Sequence, residues 1–196
     1  AVWRMTPRRL EAETIRDSVL AVSGRLDFRS GGPTLPITRE NLHVNSPSFL
    51  EDDARIEPHV KFRRSVYMPI MRGSLFRELD VLTLFDFADP DQIVGARAAT
   101  TVPTQALFLL NSDFIHDAAR GVAQDILAED AVDDSARIQK LYLKLFGRAP
   151  RAPDLAVAAE YLQSAGAAAE TPEARENAWT EYCRALLISA EFLFRR

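Results

Sequence analysis

The chain has 196 residues, 47% of them hydrophobic, with 24 Lys and Arg against 28 Asp and Glu for a net charge of −4. That is enough apolar material for one sizeable core, which excludes disorder throughout, and no apolar run approaches the length needed to span a bilayer. The whole negative net falls in residues 98–196, the first half being balanced, which argues against nucleic acid as a partner of either half.

In chain order, Thr6 and Pro7 read as N-cap and first residue of a helix that places Leu10, Ile15, Val19 and Val22 on one stripe until Gly24 supplies a left-handed stop. The start at Ala1, ahead of AVWRMTPRR with no signal-peptide core, is read as the beginning of a C-terminal fragment of a longer chain. Residues 27–61 then lose all periodicity: SGGPTLPITRENLHVNSPS and the acidic EDDARIEPH predict a long loop, of a length that tends to be functional or mobile. FRRSVYMPI, Phe62 to Ile70, is expected as a short strand ended by Pro69, with a hairpin partner around Ile37 to Val44. Lys61, Arg63 and Arg64 are then a solvated or ion-paired strand end.

TTVPTQALFLLNS, Thr100 to Ser112, opens the next helix. Proline is most comfortable at the first helical position, so Val102 becomes the N-cap and Gln105 the N3 residue, able to reach back to the free N–H at the cap. Thr100 and Thr101 stand just upstream to satisfy other orphan N–H groups, and Asn111 or Ser112 switches one helix to the next. Phe114, Ala118, Val122 and Ile126, with Ile115, Ala119 and Leu127 beside them, form one broad apolar face. A helix near Ser135 carries Ile138, Leu141, Tyr142 and Leu145 and closes at Gly147; another from Pro153 carries Leu155, Ala158, Ala159 and Leu162. The last, capped by Thr171 with Pro172 and Glu173 in its first turn, presents Ala178, Tyr182, Leu186 and Ala190 inward, with Arg195 and Arg196 near its end. The expected fold is mainly α: one multi-helix unit, residues 1–196, with a long irregular loop and room for one short β-hairpin.

Chemistry-bearing residues are few. His43, His59 and His116 are far apart, so no metal site is expected, and the single cysteine, Cys183, reads as a small buried hydrophobe. The densest polar segment, LDVLTLFDFADPD, sets Asp86 and Asp89 just upstream of the threonines. Capping and turn formation explain it, Asp89-Pro90 being a turn starter. The sharper reading pairs Asp86 or Asp89 with Arg64 or Arg97 beside Thr101 and Gln105, making a polar pocket of those six residues. No nucleophile elbow, phosphate loop or H-E-x-x-H motif is present.

Seven stretches carry a resemblance: RRLEAETIRDSVLAVSGRLD at 8–27, GGP at 31–33, RRSVYMPI at 63–70, LFDFADPD at 84–91, TTVPTQALFLLNS at 100–112, LYLKLFGRAP at 141–150 and WTEYCRALLISAEFLF at 179–194. Together they make the chain similar to the planctomycete PSD-type domain of unknown function, found at the C-terminal end of large exported proteins that begin with cytochrome-c-like segments. The resemblance implies an exported or periplasmic parent chain, but no reaction and no catalytic residues. The haem signature C-x-x-C-H is absent from this sequence, so no cofactor is expected here. The leading expectation is a non-catalytic helical module that docks on other domains of its parent chain, or on an extracellular protein or glycan, without nucleic-acid binding or membrane insertion. The rival is a carbohydrate-active or hydrolase-like domain using the polar pocket.

Overall fold

A computed structural model describes residues 6–32, 60–68, 80–129, 133–165 and 171–195. Among them the chain is mainly helical. In order run strand β1 (Arg8–Arg9), helix α1 (Ala12–Val22), two 3-10 turns (Val60–Phe62 and Ser65–Tyr67) and α2 (Asp80–Leu84). There follow α3 (Pro103–Asn111), α4 (Asp113–Ala128), α5 (Asp134–Phe146), α6 (Ala152–Ser164), α7 (Pro172–Leu187), α8 (Ala190–Leu193) and strand β2 (Phe194–Arg195).

The centre of the molecule is the pairing of α4 with α7, the most extensive between any two described elements. The four-residue spacing expected of α4 is observed: Ile115, Ala118, Ala119, Val122, Ala123 and Ile126 are buried, with Phe114 and Leu127 at the edge of the core. Against them α7 buries Ala178, Trp179, Tyr182, Cys183 and Leu187. The alanines matter as much as the large residues, because short side chains let two helices approach while Trp179 fills the space between. Helix α1 also packs on α4. There Gly121 faces the end of α1, and a Cβ at that position would stand 3.2 Å from the Ser23 carbonyl oxygen. Ile138, Leu141, Tyr142 and Leu145 of α5 are buried, as are Ala158 and Leu162 of α6, and all join one apolar cluster with α1, α2 and α3.

Caps do much of the local work. Ser112, Asp133, Thr171 and Ser189 each accept a hydrogen bond from a backbone N–H in the first turn of the helix that follows, and Gly24 and Gly147 end helices in the left-handed region at φ 72° and 66°.

Several expectations are corrected. The first helix begins at Ala12, not Pro7, because Arg8 and Arg9 are extended and pair antiparallel with Phe194 and Arg195, and Leu10 N–H donates to the Leu193 carbonyl at 2.8 Å. The sheet therefore joins the two ends of the described chain and is not a local hairpin; the hairpin partner at 37–44 lies outside the described residues. FRRSVY forms no strand: it folds as two 3-10 turns with a single parallel bridge, Arg63 to Asp27. Arg63 is buried instead of solvated, donating to the Gly31 carbonyl at 2.5 Å with its guanidinium 4.5 Å from the Tyr67 ring. The last helix stops at Leu187, since Ser189 recaps a new short helix and the chain then leaves as β2, so Ala190 is exposed. Ala159 also faces solvent. Of the long loop, 27–61, only its ends fall within the described residues.

Candidate functional site

Gln105 sits where the helix signal placed it, at N3 of α3, its Oε1 accepting from Val102 N–H at 3.4 Å. Valine has no acceptor to return the bond, so only half a capping box exists. The rest of the side chain turns inward: Nε2 donates to the Leu84 carbonyl at 2.9 Å and approaches Thr100 Oγ1 at 3.4 Å. Gln105 is 5% exposed. It thereby ties the start of α3 to the end of α2.

Asp86 completes this junction. It adopts φ 64°, a left-handed conformation that aspartate tolerates better than most residues, and so aims its carboxylate back across the turn. That carboxylate accepts from Thr100 N–H at 2.8 Å, from Thr100 Oγ1 at 2.9 Å and from Arg9 Nη2 at 2.6 Å. Arg9 also donates to the carbonyls of Phe85, at 3.1 Å, and of Thr100, and lies over the Phe85 ring. Burial pushes the Asp86 carboxyl up, but the Arg9 guanidinium and the two Thr100 donors outweigh it and leave it below its ordinary value.

The six residues of the expected polar pocket are thus distributed, not gathered. Asp86 and Gln105 meet through Thr100, and the partner of Asp86 is Arg9, not Arg64 or Arg97. Asp89 starts a turn, accepting from Asp91 N–H and Gln92 Nε2 at 2.9 Å each. Thr101 is exposed and outside the cluster. Arg97 lies across Phe87 and donates to both oxygens of Glu13 at 2.8 and 2.9 Å. Arg9 was not legible as a site residue, because it stands in what reads as helix and 77 positions from Asp86.

A second polar group anchors the 3-10 turns. Arg16, 1% exposed, donates to the carbonyls of Lys61 at 2.6 Å and Arg63 at 2.9 Å and to Ser65 Oγ at 3.2 Å. Neighbouring Asp17 accepts from Ser65 N–H at 2.8 Å and Oγ at 2.7 Å. Beyond this anchor runs a groove of about 670 Å³, floored by Glu13, Thr14, Asp17, Ser18 and Ala21 of α1 and walled by Arg64, Val66 and Met68 on one side and Phe87 and Arg97 on the other. Arg64 and Arg97 of the expected set meet here, away from Asp86. A third group, at the far end, has Arg148 clamping Glu191 at 2.6 and 2.8 Å and Asp154 at 2.9 Å, which joins the ends of α5, α6 and α8.

Among the described residues no three His, Cys, Asp or Glu side chains form a group that could hold a metal ion, and no helix is long and apolar enough to cross a membrane. His116 is half-exposed on α4, 3.8 Å from Glu181, while His43 and His59 fall outside the described residues.

Residues 1–162 match the family PSD1, described as a protein of unknown function (DUF1553), and the chain belongs to that family. No curated protein and no solved structure matches it. The match ends within α6, whereas Trp179, Cys183 and Leu187, which fill the core against α4, come after it.

Proposed function

We propose that this PSD1 member is a non-catalytic helical interaction or structural module of an exported multidomain protein, docking on other parts of its parent chain or on an extracellular partner. One observation carries the reading: α3 seats Gln105 and Leu109 inward and still turns a second apolar side outward. Its polar Gln105 is buried, whereas Leu107 and Leu110 are 57% and 47% exposed, with Val102 and Ala106 on the same outward side. Single exposed leucines are ordinary, but a short helix that already buries Leu109 and still presents Leu107 and Leu110 together with Val102 and Ala106 carries apolar residues on two sides, as a covered helix does. Its position is held from behind, since Arg184 of α7 donates to the Leu110 carbonyl at 2.8 Å.

The polar residues weigh the same way. Asp86 is committed to Arg9 and Thr100, and Asp89 to its own turn, so neither is a free acid or base facing a water-filled cleft. A carbohydrate-active or hydrolase-like reading has no comparable support. The test is a double substitution, Leu107→Glu with Leu110→Glu, in the full-length parent protein. Limited proteolysis should leave the wild-type module protected along α3 and expose it in the variant, while the isolated chain keeps its melting temperature. Equal protection in both, or turnover of a glycan or ester substrate by the isolated chain, would sink the reading.

A further inference from the structure

The groove over α1 is separate from the α3 face and has a charge pattern of its own. Its volume, about 670 Å³, lies within the range of small-molecule sites, which run from about 300 to 1,000 Å³. Four charged residues line it, and three are already spent. Both oxygens of Glu13 receive Arg97. The carboxylate of Asp17 receives Ser65 N–H and Oγ and faces Arg16 at 3.3 Å. Arg64 is left. It is exposed, in the residue before the second 3-10 turn, and among the described residues its guanidinium has neither a hydrogen-bond nor an ion-pair partner. Around it the lining is apolar, with Val66 at 72% exposure, Met68, Ala21, Leu26 and Phe87, and the hydroxyls of Thr14 and Ser18 lie on the floor.

We propose that this groove binds a small organic carboxylate with an apolar body, its anionic group held by Arg64 and its body laid against Val66, Met68 and Phe87. Arginine presents paired N–H donors that match a carboxylate, and the contact is strongest beside a low-dielectric surface such as this one. A dianion is disfavoured, because the only other guanidinium among the described lining residues, Arg97, is neutralised by Glu13. A neutral ligand leaves Arg64 unused.

Anilinonaphthalene sulfonate, a fluorescent aromatic monoanion, and its neutral relative N-phenylnaphthylamine separate the parts of this claim. The wild-type chain should bind the sulfonate at one saturable site, and octanoate should displace it whereas octanamide should not. Arg64→Gln should weaken the sulfonate about tenfold while leaving the neutral dye and the melting temperature unchanged. Ala21→Trp, built on an exposed position of α1, should fill the groove and remove both dyes. The Leu107→Glu, Leu110→Glu variant should bind like wild type, so failure of the docking reading leaves this test intact. Equal sulfonate affinity in Arg64→Gln, displacement by octanamide as strong as by octanoate, or no saturable binding would each overturn the proposal.

Discussion

The two halves of this molecule are held together by different physics. From Pro103 onward, helices meet mainly through periodic apolar faces, most are started by capping side chains, α5 is stopped by Gly147, and one arginine clamp, Arg148 on Glu191 and Asp154, joins their ends. Before Thr100, short elements are held by arginines and carboxylates that reach backbone groups far away in sequence: Arg16 takes the carbonyls of Lys61 and Arg63, Arg9 those of Phe85 and Thr100, and Asp86 the Thr100 amide. An apolar face tolerates small errors of register, because burial is non-directional and roughly proportional to area. A hydrogen-bonded staple does not, because each buried partner left alone costs its full desolvation. The second half should therefore unfold as one, and the first should fail piece by piece.

The strongest way to break this contrast is at Trp179, fully buried between α7 and its neighbours. Trp179→Ala should cost about 3–5 kcal/mol and bring the whole helical half down together in chemical denaturation. Its Nε1 is buried without a hydrogen-bond partner among the described residues, so Trp179→Phe, which keeps most of the apolar volume, should cost much less. If both variants lose the same amount, the packing account of α4 and α7 is wrong. Cys183, one turn on, gives a probe of the same event. Burial pushes its thiol up to about 12, so a thiol reagent should label the native wild type hardly at all and Trp179→Ala readily.

Arg16→Ala tests the other half. Two carbonyls and the Ser65 hydroxyl lose a buried donor, for a cost of about 2–4 kcal/mol, but the loss should be local. Hydrogen exchange should quicken around residues 60–68 while α4 and α7 keep their protection. Uniform loss of protection across the chain would mean that the two halves form one cooperative unit.

The junction at Asp86 adds a dependence on pH. Its folded-state pKa is lowered, so the stabilisation is fully present above the ordinary carboxylate value of about 3.9 and is lost as pH falls through the lowered folded value. Asp154 and Glu191, both lowered around Arg148, act in the same direction. Asp86→Asn keeps a residue suited to positive φ but removes the charge, and should cost about 1–2 kcal/mol at neutral pH. The gap from wild type should narrow steadily as the solution is acidified below about pH 4. A gap that is the same at neutral and acidic pH would show that Asp86 acts by backbone geometry alone.

This contrast also explains what could be read from the sequence. Ile115 to Ile126, Ile138 to Leu145, Thr171 and Gly147 were legible because periodicity, capping and left-handed glycine are written within a few residues of where they act. Arg8 and Arg9 were not, since an arginine pair ahead of an apolar stripe looks like the first turn of a helix, and its pairing with Phe194 and Arg195 depends on where the far end of the chain arrives. FRRSVY has the β-branched and aromatic content of a strand, and only the hook from Arg16 and Asp17 turns it into 3-10 geometry. Of the expected polar pocket, Gln105 was placed correctly by helix rules, while Asp86 was matched to the wrong arginine because ion pairing over long separations leaves no local pattern.

The smallest effect expected is also the sharpest discrimination, because Thr100 and Thr101 are adjacent, both exposed, and equivalent by any sequence rule. Thr100 Oγ1 donates to Asp86 and lies 3.4 Å from Gln105 Nε2, whereas the Thr101 hydroxyl takes part in neither contact. Replacing a threonine by valine removes the hydroxyl and keeps the shape, so each variant isolates one oxygen. Thr100→Val should cost about 1 kcal/mol, less than a fully buried group would because water can reach the carboxylate that is left. Thr101→Val should stay within about 0.5 kcal/mol of wild type, as surface changes away from such contacts do. The difference between the two, measured by denaturation under one condition, is the worth of a single staple in the first half. Equal costs would return the pair to a common role in starting α3, and a larger cost at Thr101 would mean that the helix start, not Asp86, organises this corner of the molecule.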